Sequence, residues 1–552
     1  MMRKIKPLTR AIGIAALVAL TMTGCSPQSK EIDLASYQNQ NVEWTECDSE
    51  WFIDGNRQSV EFNRAEIDCG TLLAPVSYAS RLDAPDYAIA MMRMKASGTR
   101  IGTLFINPGG PGGSGIEELQ TTPFPPEILD SFDIVGFDPR GVEHSDFVDG
   151  TEIKCSNATD FATYWADESS PENDEQYLAN LELSDKHIRQ CVKDNPYWYT
   201  MTTANVVQDL ELMRAVVTGD ADLNFLGSSY GTTIAAAYVS TFPEHIGHIV
   251  LDSPTSGEPT SLDRAVEEAQ TFEVKLMGWI KGYAKHSRMT VAEVKQLLID
   301  IRQWGDDDLL VGFAGMKVID ASTGQFRSNE NLFLHGIEAL SYFGESDAQE
   351  AFNQAIDDLA QYKWNGNFEW MALSLDGYDP NALRDRTKYD PKDLIRTNAF
   401  EVMMIVNELD VDWPEFTDEE LDRLNSRIEK VSPFWSKLSE DPSGYSYEGD
   451  REYIDFATYA KKDPAIPDPP TSTPARTNKS GKGVLVVGSR NESVTPFPFA
   501  EKTAKQLKSP LVVFEGSIHA PVAGFDNKCL NRIFVDYLVH DRLPADGTSC
   551  KP

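Results

Sequence analysis

The chain has 552 residues, 41% of them hydrophobic and 25% charged. That composition supports one large packed core, or a core with a substantial insertion. Aspartate and glutamate outnumber lysine and arginine by 86 to 50, a formal charge of −36. So acidic a surface repels phosphate backbones and anionic lipid headgroups, which argues against nucleic acid as a partner.

The first residues read as an address. Arg3, Lys4, Lys6 and Arg10 precede a short apolar run, Ala11 to Met22, which ends at Thr23-Gly24-Cys25. The run is too short to span a bilayer. A small residue before a cysteine at this point resembles the bacterial lipoprotein processing site, although Met22 stands where leucine is usual. The resemblance implies a signal peptide over 1–24, cleavage before Cys25 and lipid on that residue. The alternative is a plain secretory signal with a chance cysteine. The expected location is thus the outer face of a bacterial cell membrane, held by lipid alone, or the exterior.

Cys47, Cys69, Cys155, Cys191, Cys529 and Cys550 remain, an even number that suggests disulfides in an exported chain. They fall in three sequence-local couples, and short loops close at the least entropic cost. The expected pairs are Cys47–Cys69, Cys155–Cys191 and Cys529–Cys550. No C-x-x-C, His-Glu-x-x-His or Cys/His cluster argues for a metal.

Strand-like segments begin at Gly70 to Tyr78 and Tyr87 to Met94. Gly102 to Asn107 is an apolar run that stops at Pro108-Gly-Gly-Pro-Gly-Gly-Ser-Gly115. Phe132 to Phe137 closes on Asp138-Pro-Arg-Gly141. Asn224-Phe-Leu226 enters Gly227-Ser-Ser-Tyr-Gly231 and a small-residue helix to Thr241, and Ile246 to Leu251 is a further buried strand. Apolar strands that end in glycine turns and alternate with helices predict an α/β fold with a mostly parallel sheet covered on both faces. From Pro254 to Tyr459 amphipathic helices dominate: Leu262 to Lys285, Val291 to Trp304, Asp347 to Tyr362 and Asp418 to Val431. A proline-rich linker spans Asp463 to Pro474. Strands return at Gly483 to Gly488 and Pro510 to Phe514. The expected organisation is a first core part over 25–254, a helical cap over 255–465 and a second core part over 466–552.

Gly227-Ser-Ser229-Tyr-Gly231 is a G-x-S-x-G. This pattern puts a serine on a sharp strand-to-helix turn, where flanking side chains would collide, and the strand before it and helix after it supply the required context. Ser229 is the expected nucleophile and Ser228 its neighbour. The base belongs after the last long strand, where His519 stands; His144, His187, His286 and His335 lie in expected loops or the cap, His245 and His248 just after the nucleophile helix, and His540 on a C-terminal helix. The acid belongs between them in chain order, and Glu492 is the carboxylate of Ser489 to Pro496, with Asp252 as its rival. Gly110, with Gly109 next, and the N–H of Tyr230 are the expected oxyanion donors. The glycine loop lacks the Gly-Lys-Ser/Thr ending of a phosphate cradle. No cofactor is required.

These motifs, together with Val494-Thr-Pro496 and the segment around Asp536-Tyr-Leu538 between Cys529 and Cys550, resemble the exported tripeptidyl-aminopeptidase and prolyl-aminopeptidase family of α/β-hydrolase serine peptidases. The resemblance implies release of short peptides or single residues from free N-termini, with short peptides as partners. It also implies an acidic cap residue that binds the substrate's α-ammonium; Glu408, in Asn407-Glu-Leu-Asp410, occupies that stretch. Three features depart from the family: the acid is glutamate rather than aspartate, the cysteine expected near Asn407 is missing, and the usual Gly-Xaa-Ser after Asp138-Pro-Arg-Gly141 reads Val142-Glu-His-Ser145. An esterase or amidase with the same triad, and an inactive lipoprotein binding module, are the alternatives, since the fold does not fix the substrate.

Overall fold

The computed structural model describes residues 33–53, 62–79, 84–155, 174–219, 221–258, 260–306, 317–320, 325–327, 330–361, 398–411, 416–439, 456 and 477–552. The signal segment, Cys25 and the linker Asp463 to Pro474 lie outside them.

The strands β1 (Ile67–Ala74), β2 (Tyr87–Met94), β3 (Gly102–Asn107), β4 (Phe132–Phe137), β5 (Leu223–Ser228) and β6 (Ile246–Asp252) precede the inserted helices. A small antiparallel hairpin, β7 (Lys317–Asp320) and β8 (Gln325–Arg327), lies within the insertion and forms a sheet of its own. After it come β9 (Leu485–Ser489), β10 (Leu511–Phe514) and β11 (Thr548–Cys550). Nine strands make the main sheet in the order β1-β2-β4-β3-β5-β6-β9-β10-β11. From β4 to β11 every neighbouring pair is parallel, and β1 and β2 add an antiparallel edge. The segment expected at Gly70 to Tyr78 pairs over Ile67–Ala74, because its register is set by β2.

All residues of β3, β9 and β10 are buried, as expected of parallel strands covered on both faces. Successive side chains divide between two layers, since the side-chain period along a strand is two. Phe105, Phe225, Val486 and Val513 face one layer, with Leu210 of α4 (Thr203–Met213), Ala235 of α5 (Gly231–Thr241) and Ala504 of α13 (Phe497–Leu507). Ile106, Leu226, Val487 and Val512 face the other, with Ile116 of α1 (Gly115–Thr121), Ile128 of α2 (Pro126–Ser131) and Phe534 of α14 (Lys528–His540). Helix α3 (Asp174–Asp194) adds Ile188 and Cys191 to the first layer.

The inserted helices have a core of their own. Leu276 and Ile280 of α6 (Leu262–Ser287), Leu298 of α7 (Val291–Asp306), Ile337 of α8 (Glu330–Ala339) and Phe352 of α9 (Glu345–Leu359) meet Leu438 of α12 (Pro433–Ser439). Helix α11 (Asp418–Val431) runs against α6 and opens with a capping box at Thr417 and Glu420. Helix α10 (Ala399–Asp410) is different: Val402, Ile405, Val406 and Leu409 join the core of the sheet.

The Asp138-Pro-Arg-Gly141 turn is fastened from beneath. The Arg140 guanidinium, 1% exposed, binds Asp209 of α4 through Nε at 2.8 Å and Nη2 at 2.6 Å, and donates to Val76 O at 2.8 Å. Such a two-pronged pair fixes both planes and satisfies both charges away from water. Three disulfides, Cys47–Cys69, Cys155–Cys191 and Cys529–Cys550, tie the N-terminal segment to β1, α3 to the loop after β4, and α14 to β11. They fit an oxidising compartment outside the cytoplasm. Among the described residues no helix is long and apolar enough to cross a membrane.

Candidate active site

The site gathers at the C-terminal ends of β3, β5, β6, β9 and β10. Ser229 follows β5 with φ 53°, in the left-handed region that an L-residue enters only under constraint. The constraint is visible on both sides. A methyl group on Gly227 would lie 2.3 Å from Gly231 O, and one on Gly231 would lie 2.5 Å from Asn107 O. Only glycine permits β3, β5 and α5 to approach so closely. Ser229 N donates to Asp252 O at 3.0 Å, and its carbonyl accepts from Thr232 N at 2.9 Å and Thr232 Oγ1 at 2.6 Å. The turn is therefore held at both ends of its peptide unit.

The glycine loop after β3 lies against this turn. Gly109 has φ 102°, and a methyl group on it would meet Tyr230 N at 2.7 Å and Ser229 Cβ at 3.0 Å. Gly109 N donates to Asn107 Oδ1 at 3.1 Å, so its own N–H is committed. Asp138 anchors the far end of the loop, accepting from Ser114 Oγ at 2.6 Å; Ser114 also caps α1 by accepting from Glu117 N.

Glu492 is fully buried in the turn after β9. Its Oε1 accepts from Thr495 N at 3.1 Å and Thr495 Oγ1 at 2.6 Å and is hydrogen-bonded to His519 Nδ1; its Oε2 accepts from Ser253 Oγ at 2.7 Å. The same Ser253 Oγ accepts from Ala520 N at 3.0 Å, so one hydroxyl joins the ends of β6, β9 and β10. Ser489 Oγ donates to Ile518 O at 2.6 Å, and Asn491 N to Gly516 O at 3.0 Å, which zips the Glu492 turn to the His519 loop. Thr495 explains why Val494-Thr-Pro496 matters: it gives the carboxylate two donors.

Asp252, the rival acid, points elsewhere. Its Oδ2 accepts from Val522 N at 2.8 Å and Ala523 N at 3.0 Å, shaping the chain just past His519. Burial pushes its carboxyl well above the usual range. Glu408 sits half-buried on α10 and accepts from Phe456 N at 2.5 Å. The carboxylate of that stretch nearest the nucleophile turn is Asp410, whose Oδ1 accepts from Thr203 N at 2.9 Å and whose Oδ2 binds Thr203 Oγ1, itself bonded to Tyr230 Oη. Burial pushes the Asp410 carboxyl up to about 7. Two residues along a helix rotate the side chain by about 200°, so the choice between 408 and 410 depended on which face of α10 meets the sheet.

Glu143 has φ 44°, in the left-handed region that favours glycine. It exchanges two bonds with the start of α10: Glu143 N to Asn398 Oδ1 and Asn398 N to Glu143 Oε1, each 3.2 Å. Burial, with Asp138 and Glu117 nearby, pushes its carboxyl up to about 8.

The inserted helices reach the site directly. The Tyr342 ring meets the His519 ring edge-on, centroids 5.4 Å apart, and Ser493 Oγ, beside Glu492, donates to Ser341 Oγ at 3.0 Å. A cavity of about 440 Å³ lies here, lined by Phe272, Tyr342, Ile428 and Trp435 together with Glu268 and Val494.

Residues 102–296 match the family described as alpha/beta hydrolase fold, and residues 456–550 the one described as TAP-like protein. The fold is that of the α/β-hydrolases, and the C-terminal part of its core is of the TAP-like kind. Among curated relatives, Serine protease Hip1 of Mycobacterium tuberculosis is 28% identical over 567 aligned positions, covering 97% of this chain and 96% of the relative. Tripeptidyl aminopeptidase of Streptomyces lividans is 25% identical, covering 93% of this chain and 87% of the relative. Carboxylesterase B of Mycobacterium tuberculosis is 26% identical, covering 88% and 86%.

Proposed function

We propose that the protein is an exported serine exopeptidase that hydrolyses peptide bonds near the free N-termini of short peptides through an acyl-enzyme on Ser229. One observation carries the chemistry: a hydrogen-bonded path runs from Ser229 N to Asp252 O, from the adjacent Ser253 Oγ to Glu492 Oε2, and from Glu492 Oε1 to His519 Nδ1. Acid, base and nucleophile turn are thus tied into one rigid edge. The relatives named as a serine protease and a tripeptidyl aminopeptidase support peptide as the substrate class.

In this reading Ser229 Oγ attacks the scissile carbonyl while His519 takes its proton at Nε2. Glu492 accepts the Nδ1–H, fixes the tautomer and offsets the imidazolium charge. The oxyanion is met by the N–H groups of Tyr230 and Gly110; the N–H of Gly109 is already held by Asn107. The leaving amine collects the proton from His519, and water then releases the acyl group. The cavity beside Tyr342, with its aromatic walls and Glu268, receives a side chain of the peptide. Glu408 is the residue that the family resemblance assigns to the α-ammonium. Cys25 carries the lipid that holds the mature chain, residues 25–552, to the outer face of the membrane, with 255–465 as its cap.

A fluorophosphonate probe and Ser229→Ala test the nucleophile: the wild type labels and the variant does not. Equal labelling of both would sink the assignment. N-terminally free and N-acetylated peptides, with products read by mass, test the substrate; the free peptides are cleaved and the acetylated ones spared, with Glu408→Gln narrowing that difference. The relative named Carboxylesterase B favours a second reading, an esterase with the same triad. Faster turnover of short acyl esters than of any peptide would support it. Labelled palmitate entering the wild type but not Cys25→Ser tests the anchor.

A further inference from the structure

Lys275 lies on α6 of the insertion and is only 8% exposed. Its Nζ donates to Ser341 O at 2.7 Å and to Ser517 O at 3.2 Å. These carbonyls come from the two halves of the molecule. Ser341 precedes Tyr342, whose ring meets His519, and its hydroxyl accepts from Ser493 beside Glu492. Ser517 is two residues before His519, in the loop zipped to the Glu492 turn by Ser489. The Trp279 ring lies 5.9 Å from Nζ, and among the described residues no carboxylate pairs with it. A buried ammonium without a contacting counter-ion is costly to the fold. This one lies beside the loop that carries a His–carboxylate pair, where perturbed charged groups are candidates for a functional role.

We propose that Lys275 is a positioning residue for catalysis: its ammonium clamps the Tyr342 turn of the inserted helices to the His519 loop and thereby holds the imidazole on Glu492. The inference rests on the serine-hydrolase reading of the site. The ammonium acts through geometry: its two donors tie the Ser341 carbonyl to the Ser517 carbonyl and so fix the loop. Burial pulls the ammonium down to about 8, against the pull of Glu492 and of Glu345 at the start of α9, which favour the charged form. Glu338 and Glu268 line the cavity beside Ser341 on the inserted side. The clamp is therefore charged at neutral pH and weakens as pH rises through about 8.

The test is the rate of fluorophosphonate labelling at Ser229 as a function of pH, which needs no knowledge of the substrate. In the wild type the rate is level around neutrality and falls roughly tenfold between pH 8 and 9.5. In Lys275→Met the rate at pH 7 falls by roughly 30-fold with the protein still folded by circular dichroism, and its alkaline limb is gone. In Lys275→Arg, whose charge persists to high pH, labelling recovers in part and the alkaline limb leaves the measured range. A wild-type rate that stays level to pH 10 overturns the proposal, and that result does not depend on any variant folding. So does an alkaline limb that persists unchanged in Lys275→Met. Absence of labelling in the wild type at every pH is a different result: it removes the hydrolase reading, and this inference with it.

Discussion

The nucleophile turn and the inserted helices reach order by different means. At Gly227 and Gly231 the backbone has almost no freedom, because an added methyl would lie within 2.5 Å of a carbonyl oxygen. The insertion instead places side chain on side chain, with Leu276, Ile280, Phe352 and Ile356 fully buried among helices that no short motif announces. The first kind of region tolerates no substitution at a few positions. The second tolerates hydrophobic exchange so long as volume and pattern are kept. The two meet where Tyr342 and Lys275 of the inserted helices touch the His519 loop.

The sharpest break in this contrast is at the acid. Glu492→Gln preserves shape but presents the wrong partner to His519 Nδ1, and kcat falls by roughly 10⁴-fold while the melting temperature hardly moves. Steady-state kinetics beside calorimetry check this. Next is Arg140→Met, which strands Asp209 in the core and costs about 3–5 kcal/mol by urea unfolding. Phe352→Ala, in the insertion, costs about 3 kcal/mol at its own transition, and Ser229 continues to label with fluorophosphonate. The smallest effect is at Arg427, whose exposed pair with Asp263 joins α11 to α6 at 2.5 Å; Arg427→Ala changes stability by less than about 1 kcal/mol, and added salt removes the difference.

The strands of the core were legible because each ends abruptly in a glycine turn, and those turns are where the sheet's C-terminal edge turns over. Chain order then selected Glu492 over Asp252. In the structure Asp252 is occupied by the amides of Val522 and Ala523, while Glu492 bonds His519 and is held by Thr495 and Ser253. Ser253 carried no signal: a serine after a strand is ordinary, and its left-handed backbone with φ 55° is invisible in sequence. Lys275 was equally silent, because a lysine on an amphipathic helix reads as solvent-facing until the partner surface is known. Within the insertion, periodicity located α6, α7, α9 and α11 nearly to their ends, yet it gave no hint of the β7–β8 hairpin or that α10 packs into the core of the sheet. Those depend on contacts between segments far apart in the chain.

None of the three disulfides lies within the network that joins Ser253, Glu492 and His519. Two secure the outermost strands, β1 and β11, where a sheet is most open to fraying and nicking by proteases. A mild reductant should therefore shorten the enzyme's lifetime in a protease-rich medium well before it lowers the rate of any single turnover. Material produced in a reducing cytoplasm would be born active and perishable.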